Sequence, residues 1–312
     1  MKRASTAGWT MHEIELVGLD GGNLLAYLAA LGTLRVLTLA EPEGDVRIGW
    51  VEKEWWTPVI HHSRIGMGEE LVTELAERVC GEVSTNAAWR IANDLTLTRA
   101  EFHVQLAAGA SEATAAKREV ADYLTAFGSD VFGSGSKKEQ ISDTEFRTMS
   151  GAGHQHFLGF MRELAKGSEA EHIRRALLES WDYSDGRPSL RWDPSDYRPH
   201  ALRAEDPSGD PIKTMRGANR LAVEALTFFP TVPGLGRVGT TGFQDRNRET
   251  EITWPIWSEP LNLSTAASLI ASREVQESER SIMIERGIAQ VFRARRFTEG
   301  KYRNFSPARA LL

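Results

Sequence analysis

Glu13-Ile-Glu-Leu-Val-Gly-Leu-Asp20-Gly-Gly-Asn23-Leu24-Leu-Ala-Tyr-Leu-Ala-Ala-Leu-Gly-Thr-Leu-Arg35-Val-Leu-Thr-Leu39 is the stretch that decides the fold. Glu13 to Gly18 alternates enough between polar and apolar residues for a half-buried strand. Asp20-Gly-Gly-Asn23 follows as a turn, built from the residues that tolerate tight backbone geometry. Leu24 to Leu39 is apolar nearly all round, which describes a core helix rather than a surface one. It is 16 residues long and contains Gly32 and Arg35, short for a bilayer span of roughly 20 residues. A strand feeding a buried helix predicts an α+β protein.

The rest of the chain extends this pattern without an internal repeat. Val46 to Ile60, carrying Trp50, Trp55 and Trp56, reads as β structure, and its tryptophans as core more than as base-stacking platforms. Glu69 to Val79 is an amphipathic helix, Glu101 to Ala107 a strand, and Glu112 to Phe127 a helix with Ala116, Val120, Leu124 and Phe127 on one face. A Gly/Ser/Lys loop at Gly128 to Lys138 precedes helices at Gln155–Leu164 and Glu169–Trp181. Arg237 to Ile256 reads as strands around a polar turn, Leu263 to Glu277 as a helix, and Ser281 to Phe297 as a long strand or strand pair. The fold class expected is α+β, with mixed short strands and helices in a single compact chain that can form two lobes. Residues 1–11 are expected to be a frayed tail. The weakest seam, dense in Pro and Asp, spans Ser180 to Asp210 and divides a lobe at 12–182 from one at 183–312.

Composition bounds the class. At 312 residues, 41% hydrophobic and 26% charged, the chain is an ordinary globular protein with ample core. Its one cysteine, Cys80, cannot form an internal disulfide, which suits a reducing compartment and a cytoplasmic location. It reads as a small hydrophobe at a helix end. The start, Met1-Lys-Arg-Ala-Ser-Thr-Ala-Gly, has no apolar stretch behind its two positive charges, so no secretory signal is expected. Net charge is −6, yet Arg286, Arg293, Arg295, Arg296, Lys301, Arg303 and Arg309 face a single acid, Glu299, across the C-terminal segment. Such a local excess on an acidic chain is the footprint of a polyanion contact.

A second segment concentrates cations beside backbone breaks. Ser189-Leu-Arg191-Trp-Asp-Pro-Ser-Asp-Tyr-Arg198 and Asp206-Pro-Ser208 carry two Asp-Pro steps that disfavour helix. Arg216-Gly-Ala-Asn219-Arg220 then opens a helix that runs to Phe228-Phe229-Pro230. Free N–H groups at a helix start, with Arg191, Asn219 and Arg220 nearby, could hold an anion. Alternatively this is a solvated loop whose arginines pair with Asp193, Asp196, Asp206 and Asp210.

Arg191-Trp-Asp-Pro194, Asp206-Pro-Ser208, Arg216-Gly-Ala-Asn-Arg220 and Phe229-Pro230 resemble a family of type I-G (formerly I-U) CRISPR systems. It is the shorter of two families assigned there as large subunits of the Cascade surveillance complex. The segments Leu16 to Arg35 and Phe292-Arg-Ala-Arg-Arg-Phe-Thr-Glu-Gly-Lys-Tyr-Arg-Asn-Phe305 are similar to the same family, so the resemblance touches start, middle and end. It implies a non-catalytic subunit that binds guide RNA and target DNA. The implied partners are Cascade backbone subunits, a fused foot-and-processing subunit and a helicase–nuclease, with no membrane. The implied roles are recognition of the target-adjacent motif, duplex opening and nuclease recruitment, a division of labour in which base pairing reads sequence and protein reads a short motif. At 312 residues the chain is short for a large subunit, leaving a helical-bundle function absent or supplied by another protein. The candidate contacts are Lys137 and Lys138 in the Gly/Ser loop, His154 and His156 at a helix start, Arg191, Asn219 and Arg220. Arg293, Arg295, Arg296, Lys301 and Arg303 complete the set.

No cofactor and no metal is expected. His154 and His156 would sit on opposite faces of a helix, and His61 and His62 point apart in a strand. No Gly-x-x-x-x-Gly-Lys-Ser/Thr loop and no Gly-x-Ser-x-Gly elbow occurs. Two rivals stand beside the expected role: a purely structural subunit of the same complex, and a metal nuclease using Asp193, Asp196 and His200.

Overall fold

The computed structural model describes residues 11–114, 117–131, 139–149, 155–196, 213–233, 238–277, 280–299 and 302–312. Strand β1 (His12–Glu15) pairs antiparallel with β3 (Trp56–His62), which pairs with β2 (Val46–Glu52), giving the order β1-β3-β2. Helix α1 (Leu24–Ala40) follows the predicted turn. Its N-cap is Asn23, whose Oδ1 accepts from the N–H groups of Leu25 at 2.9 Å and Ala26 at 3.3 Å, satisfying donors that a helix start leaves free. Residues 24 to 37 of α1 are all buried, as an all-round apolar helix requires.

Helix α2 (Gly68–Val79) ends at Cys80, which is half-buried against the core. Burial pushes the Cys80 thiol pKa up, the environment of a packing residue and not of an activated nucleophile. Next come α3 (Arg99–Glu112), α4 (Glu119–Phe127) and the short pair β4 (Gly128–Ser129) and β5 (Ser142–Asp143). Helices α5 (Phe157–Gly167), α6 (Ala170–Leu178) and α7 (Arg216–Glu224) lead to the pair β6 (Thr231–Pro233) and β7 (Val238–Thr240). A five-stranded antiparallel sheet closes the chain. Its strands are β8 (Phe243–Arg246), β9 (Glu249–Trp257), β10 (Ile288–Glu299), β11 (Tyr302–Phe305) and β12 (Arg309–Ala310), the last two both pairing with β10. Between β9 and β10 lie α8 (Leu263–Ile270), α9 (Arg273–Glu277) and α10 (Arg280–Glu285). The chain is thus mixed α+β.

Three sequence expectations fail locally. Glu101 to Ala107, predicted as a strand, lies in α3. Thr98 accepts from Glu101 N at 3.2 Å while Glu101 accepts from Thr98 N at 2.8 Å, a capping box that starts a helix there. The predicted helix Glu112–Phe127 begins only at Glu119, because Thr114 and Lys117 exchange backbone hydrogen bonds of 3.1 and 3.2 Å and turn the chain. Ser281 to Phe297 is also divided: α10 comes first, and Gly287, at φ 74, reverses into β10.

One buried cluster runs from Ile14 to Phe305 and crosses the 182/183 seam. Tyr27 on α1 stacks on Trp50 of β2 at 5.5 Å and meets Trp254 of β9 at 5.8 Å, so one helix joins both larger sheets. Trp254 Nε1 donates to Gly21 O and Trp257 Nε1 to Ile48 O, both at 2.8 Å. Trp50 is therefore core, whereas Trp55 is at the surface and Trp56 is partly buried. Helix α7 lies in the middle, against α1 on one side and α6 on the other. Both contacts depend on glycine. A Cβ on Gly32 would stand 1.9 Å from Leu221 O, and one on Gly217 would stand 2.0 Å from His172 O. Neither backbone could approach so closely with a side chain present. Among the described residues no helix is long and apolar enough to cross a membrane.

Candidate nucleic-acid interface

A polar groove of about 730 Å³ lies between the segment after α2 and the solvent face of α5. Asn86 shapes its first wall by accepting from Ala88 N at 2.9 Å, capping the short 3-10 turn Ala87–Arg90. Helix α5 supplies the second wall. Its apolar residues Phe157, Phe160, Met161, Leu164 and Ala165 are buried, which turns Arg162 and Lys166, one helical turn apart, toward the groove.

Arg162 clamps the two walls together. Its Nη1 donates to the carbonyls of Trp89 and, at 3.0 Å, Ala92, and its Nη2 donates to Asn93 Oδ1 at 2.8 Å. Burial, followed by the neighbouring Arg90 charge, pulls the Arg162 pKa below the usual arginine value. Arg90 is exposed and donates through Nε to Thr85 Oγ1 at 3.1 Å. Lys166 is exposed in the last turn of α5. His156 is the N-cap residue of α5, half-buried, with Nδ1 4.0 Å from Asp94 Oδ2. Glu82 and Glu163 also line the groove. Among the described residues no carboxylate lies within ion-pair distance of Arg90, Arg162 or Lys166.

The C-terminal arginines are placed differently. Arg293, on β10, is buried, donates to Thr253 Oγ1 at 2.8 Å and lies 3.8 Å from Glu251. Arg295 is half-exposed, pairs with Glu249 at 2.7 Å and lies over the Phe297 ring. Arg296 is nearly buried against Glu145 at 2.5 Å, and burial pulls its pKa down to about 10, still charged at pH 7. Arg303 donates to Arg147 O at 3.2 Å, and Arg309 pairs with Glu251 at 3.0 Å. The basic segment is therefore largely answered by acids distant in sequence, on β9 and before α5. Neutralised in this way, it presents less positive field than its composition implies.

Around α7, Asn219 is fully buried: Oδ1 accepts from Leu190 N at 2.9 Å, and Nδ2 donates to Thr214 Oγ1 and Met215 O at 3.0 Å. It holds the 189–191 segment onto the helix start. Arg220 is 1% exposed, donating to Val79 O at 2.7 Å and to Glu224 at 2.8 Å. Arg191 is buried at positive φ, 57°, with Nη1 3.5 Å from Asn304 Oδ1. These three side chains face the protein interior. Lys137, Lys138, His154 and Lys301 lie outside the described residues. Among the described residues the structure brings Arg296 and Arg303 together on Arg147 O, and it joins His156 to Arg90, Arg162 and Lys166, three cations that sequence reading missed. The available signal was the polar stripe Arg162–Glu163–Lys166 on an otherwise amphipathic helix.

Asp193 is buried, with Oδ1 accepting from Ser195 N at 2.9 Å and Asn23 Nδ2 at 3.3 Å. That atom fixes the turn between Trp192 and α1. Asp196 ends a 3-10 turn, Pro194–Asp196, and His200 lies outside the described residues. His61 is partly exposed, 3.6 Å from Glu13, while His62 is buried, so the adjacent rings point apart. Among the described residues no group of three or more His, Cys, Asp or Glu side chains is arranged to hold a metal ion. No protein-family model matches the chain, and no curated protein matches it.

Proposed function

We propose that this chain is a non-catalytic, cytoplasmic nucleic-acid-binding subunit of a type I CRISPR interference complex, and that its groove along α5 meets the phosphate backbone. The observation that carries the binding role is the set of three cations, Arg90, Arg162 and Lys166, with no carboxylate partner among the described residues. The assembly and its partners rest on the resemblance of Leu16–Arg35, Arg191–Pro194, Arg216–Arg220 and Phe292–Phe305 to the large-subunit-like family. In this reading guide RNA, target DNA, backbone subunits, the foot-and-processing subunit and the helicase–nuclease are its partners. It contributes to reading the target-adjacent motif, opening the duplex and recruiting the nuclease.

Each phosphate neutralised on duplex DNA contributes about 0.9 to the slope of log K against log salt. Replacing Arg90 and Lys166 together with Ala should therefore lower that slope by about 1.8 on any sequence. An unchanged slope and affinity would remove the groove from the interface. In the assembled complex, omitting this chain should abolish dependence on the target-adjacent motif. If motif-dependent binding survives its omission, a structural role replaces the recognition role. Metal-dependent cleavage by the isolated chain, lost on Asp193→Ala, would instead establish a nuclease.

A further inference from the structure

A second cavity, of about 560 Å³, opens between α1, the end of α2, the 3-10 turn Ala87–Arg90 and α4. Its deep residues are polar and buried. Glu224 accepts from Arg220 Nη2 at 2.8 Å through Oε1, and from Arg35 Nη1 at 2.6 Å and Tyr123 Oη at 2.7 Å through Oε2. The Arg35 guanidinium lies 5.3 Å from the Tyr123 ring centre and the Arg220 guanidinium 5.1 Å from that of Trp89.

Two properties of this cluster are incompletely answered among the described residues. The first is charge: two buried guanidinium groups share one ion-paired carboxylate, and Glu119 and Asp122 act on Arg35 only from beyond ion-pair distance, leaving one cation without a contacting countercharge. The second is hydrogen bonding. Arg35 Nη2, Arg220 Nη1 and Trp89 Nε1 are all buried with no partner among the described residues, although buried donors are nearly always paired. Arg35 and Trp89 line the cavity directly, and Arg220 lies behind the Trp89 ring. All three missing partners are acceptors. Val36, Leu39 and Val79 supply an apolar wall, and Glu77 and Glu119 lie at the rim without an ion pair to Arg35.

We propose that this cavity is a binding site for a small organic monoanion: a carboxylate held by Arg35 and Trp89, its apolar body lying against Val36, Leu39 and Val79. One excess positive charge matches one negative charge, and the two rim acids would oppose a dianion. The planar guanidinium edge suits the two oxygens of a carboxylate. The cavity volume falls within the roughly 300–1,000 Å³ typical of small-molecule sites. The cavity adjoins the α5 groove, with Thr85 lining both, but Arg35 and Trp89 do not line that groove, and the assignment does not depend on nucleic-acid binding.

The test titrates the full chain with benzoate, its neutral analogue benzamide and inorganic phosphate, by calorimetry. Two variants accompany it. Arg35→Lys keeps the charge beside Glu224 but removes the unpaired donor. Ala87→Phe fills the cavity mouth from an exposed position and leaves the buried cluster untouched. Expected are saturable binding of benzoate, at least tenfold weaker binding of benzamide and phosphate, and at least tenfold loss of benzoate affinity in each variant. Absent benzoate binding, equal binding of benzamide, tighter binding of phosphate, or affinity unchanged in the variants would each overturn the assignment. Should Arg35→Lys fail to fold, Ala87→Phe alone decides.

Discussion

Glu224→Gln is the perturbation that most directly tests how the interior is held together. The carboxylate accepts three hydrogen bonds from Arg35, Arg220 and Tyr123. Glutamine has the same shape but a single acceptor oxygen, and its amide would face a guanidinium or hydroxyl donor. Two buried cations would then lose their ion-paired carboxylate, and removing one partner of such a buried pair costs about 3–5 kcal/mol. An unfolding entropy of about 2.1 cal/mol/K per residue gives about 0.66 kcal/mol/K for 312 residues, so a loss of about 4 kcal/mol lowers Tm by about 6 °C. The pH dependence gives a second readout. Burial raises the Glu224 pKa, but the Arg220 and Arg35 charges together with the hydrogen bonds from Tyr123 and Arg220 outweigh it and hold the group below the ordinary glutamate value. A depressed folded-state pKa gives stability that is complete above the unfolded value of about 4.3 and lost as pH falls through the folded one. The deficit of the variant should therefore be full at pH 7 and shrink once pH drops below about 4.3. Calorimetric melts at pH 7, with denaturant titrations toward acid pH, measure both. A variant melting within about 1 °C of the parent at pH 7 would refute the reasoning, given the conversion above.

Gly32→Ala should destabilise by about 1–3 kcal/mol or more, because its Cβ would meet the backbone oxygen of Leu221 on α7, which has no rotamer to move away. Gly186→Ala, with nothing within 4 Å of the added carbon, is the matched control and should melt close to the parent. His62 accepts through Nδ1 from the N–H groups of Arg64 and Ile65, both at 3.0 Å, and burial lowers its pKa. Its folded pKa lies below the unfolded value of about 6.5, so the protein should lose stability as pH falls beneath 6.5, a loss that His62→Asn should flatten in urea titrations. Arg220→Ala should lower Tm by several degrees, since it strips Glu224 of one cation and Val79 O of its donor. Arg295→Ala, an exposed pair with Glu249, should stay within about 1 kcal/mol of the parent. Equal melting losses in these two arginine variants would contradict the burial contrast between them.

Much of the candidate site was hidden from sequence because its determinants are separated along the chain. Arg293, Arg295, Arg296 and Arg309 looked like a basic surface when counted within 24 residues. Their partners Glu251, Glu249 and Glu145 enter from elsewhere, and charge compensation depends on distance in space. Arg220 at a helix start carried the pattern of an anion site, yet α7 is packed on both sides, so that helix start points into protein. Arg35 was visible as a charge inside an apolar helix, but no local rule named Glu224, 189 residues away, as its partner.

What the amino-acid order determined by itself is local. The all-round apolar run makes α1 a buried helix, Asp20 to Asn23 turns the chain into it, and amphipathic spacing sets α2, α5 and α6, because each is decided within a few turns of backbone. Even the misread segment around Thr98–Glu101 carried its capping box in plain sequence. Only tertiary structure decided which charges remain available. Packing of α7 against Gly32 and the segment at His172 buried Arg220 and Asn219, strand pairing carried the C-terminal arginines to their acids, and the fold of α5 over the 3-10 turn left Arg90, Arg162 and Lys166 with no ion-paired carboxylate among the described residues. The physical reason is that helix and strand formation are governed by neighbours in sequence, whereas burial and electrostatic compensation are governed by neighbours in space.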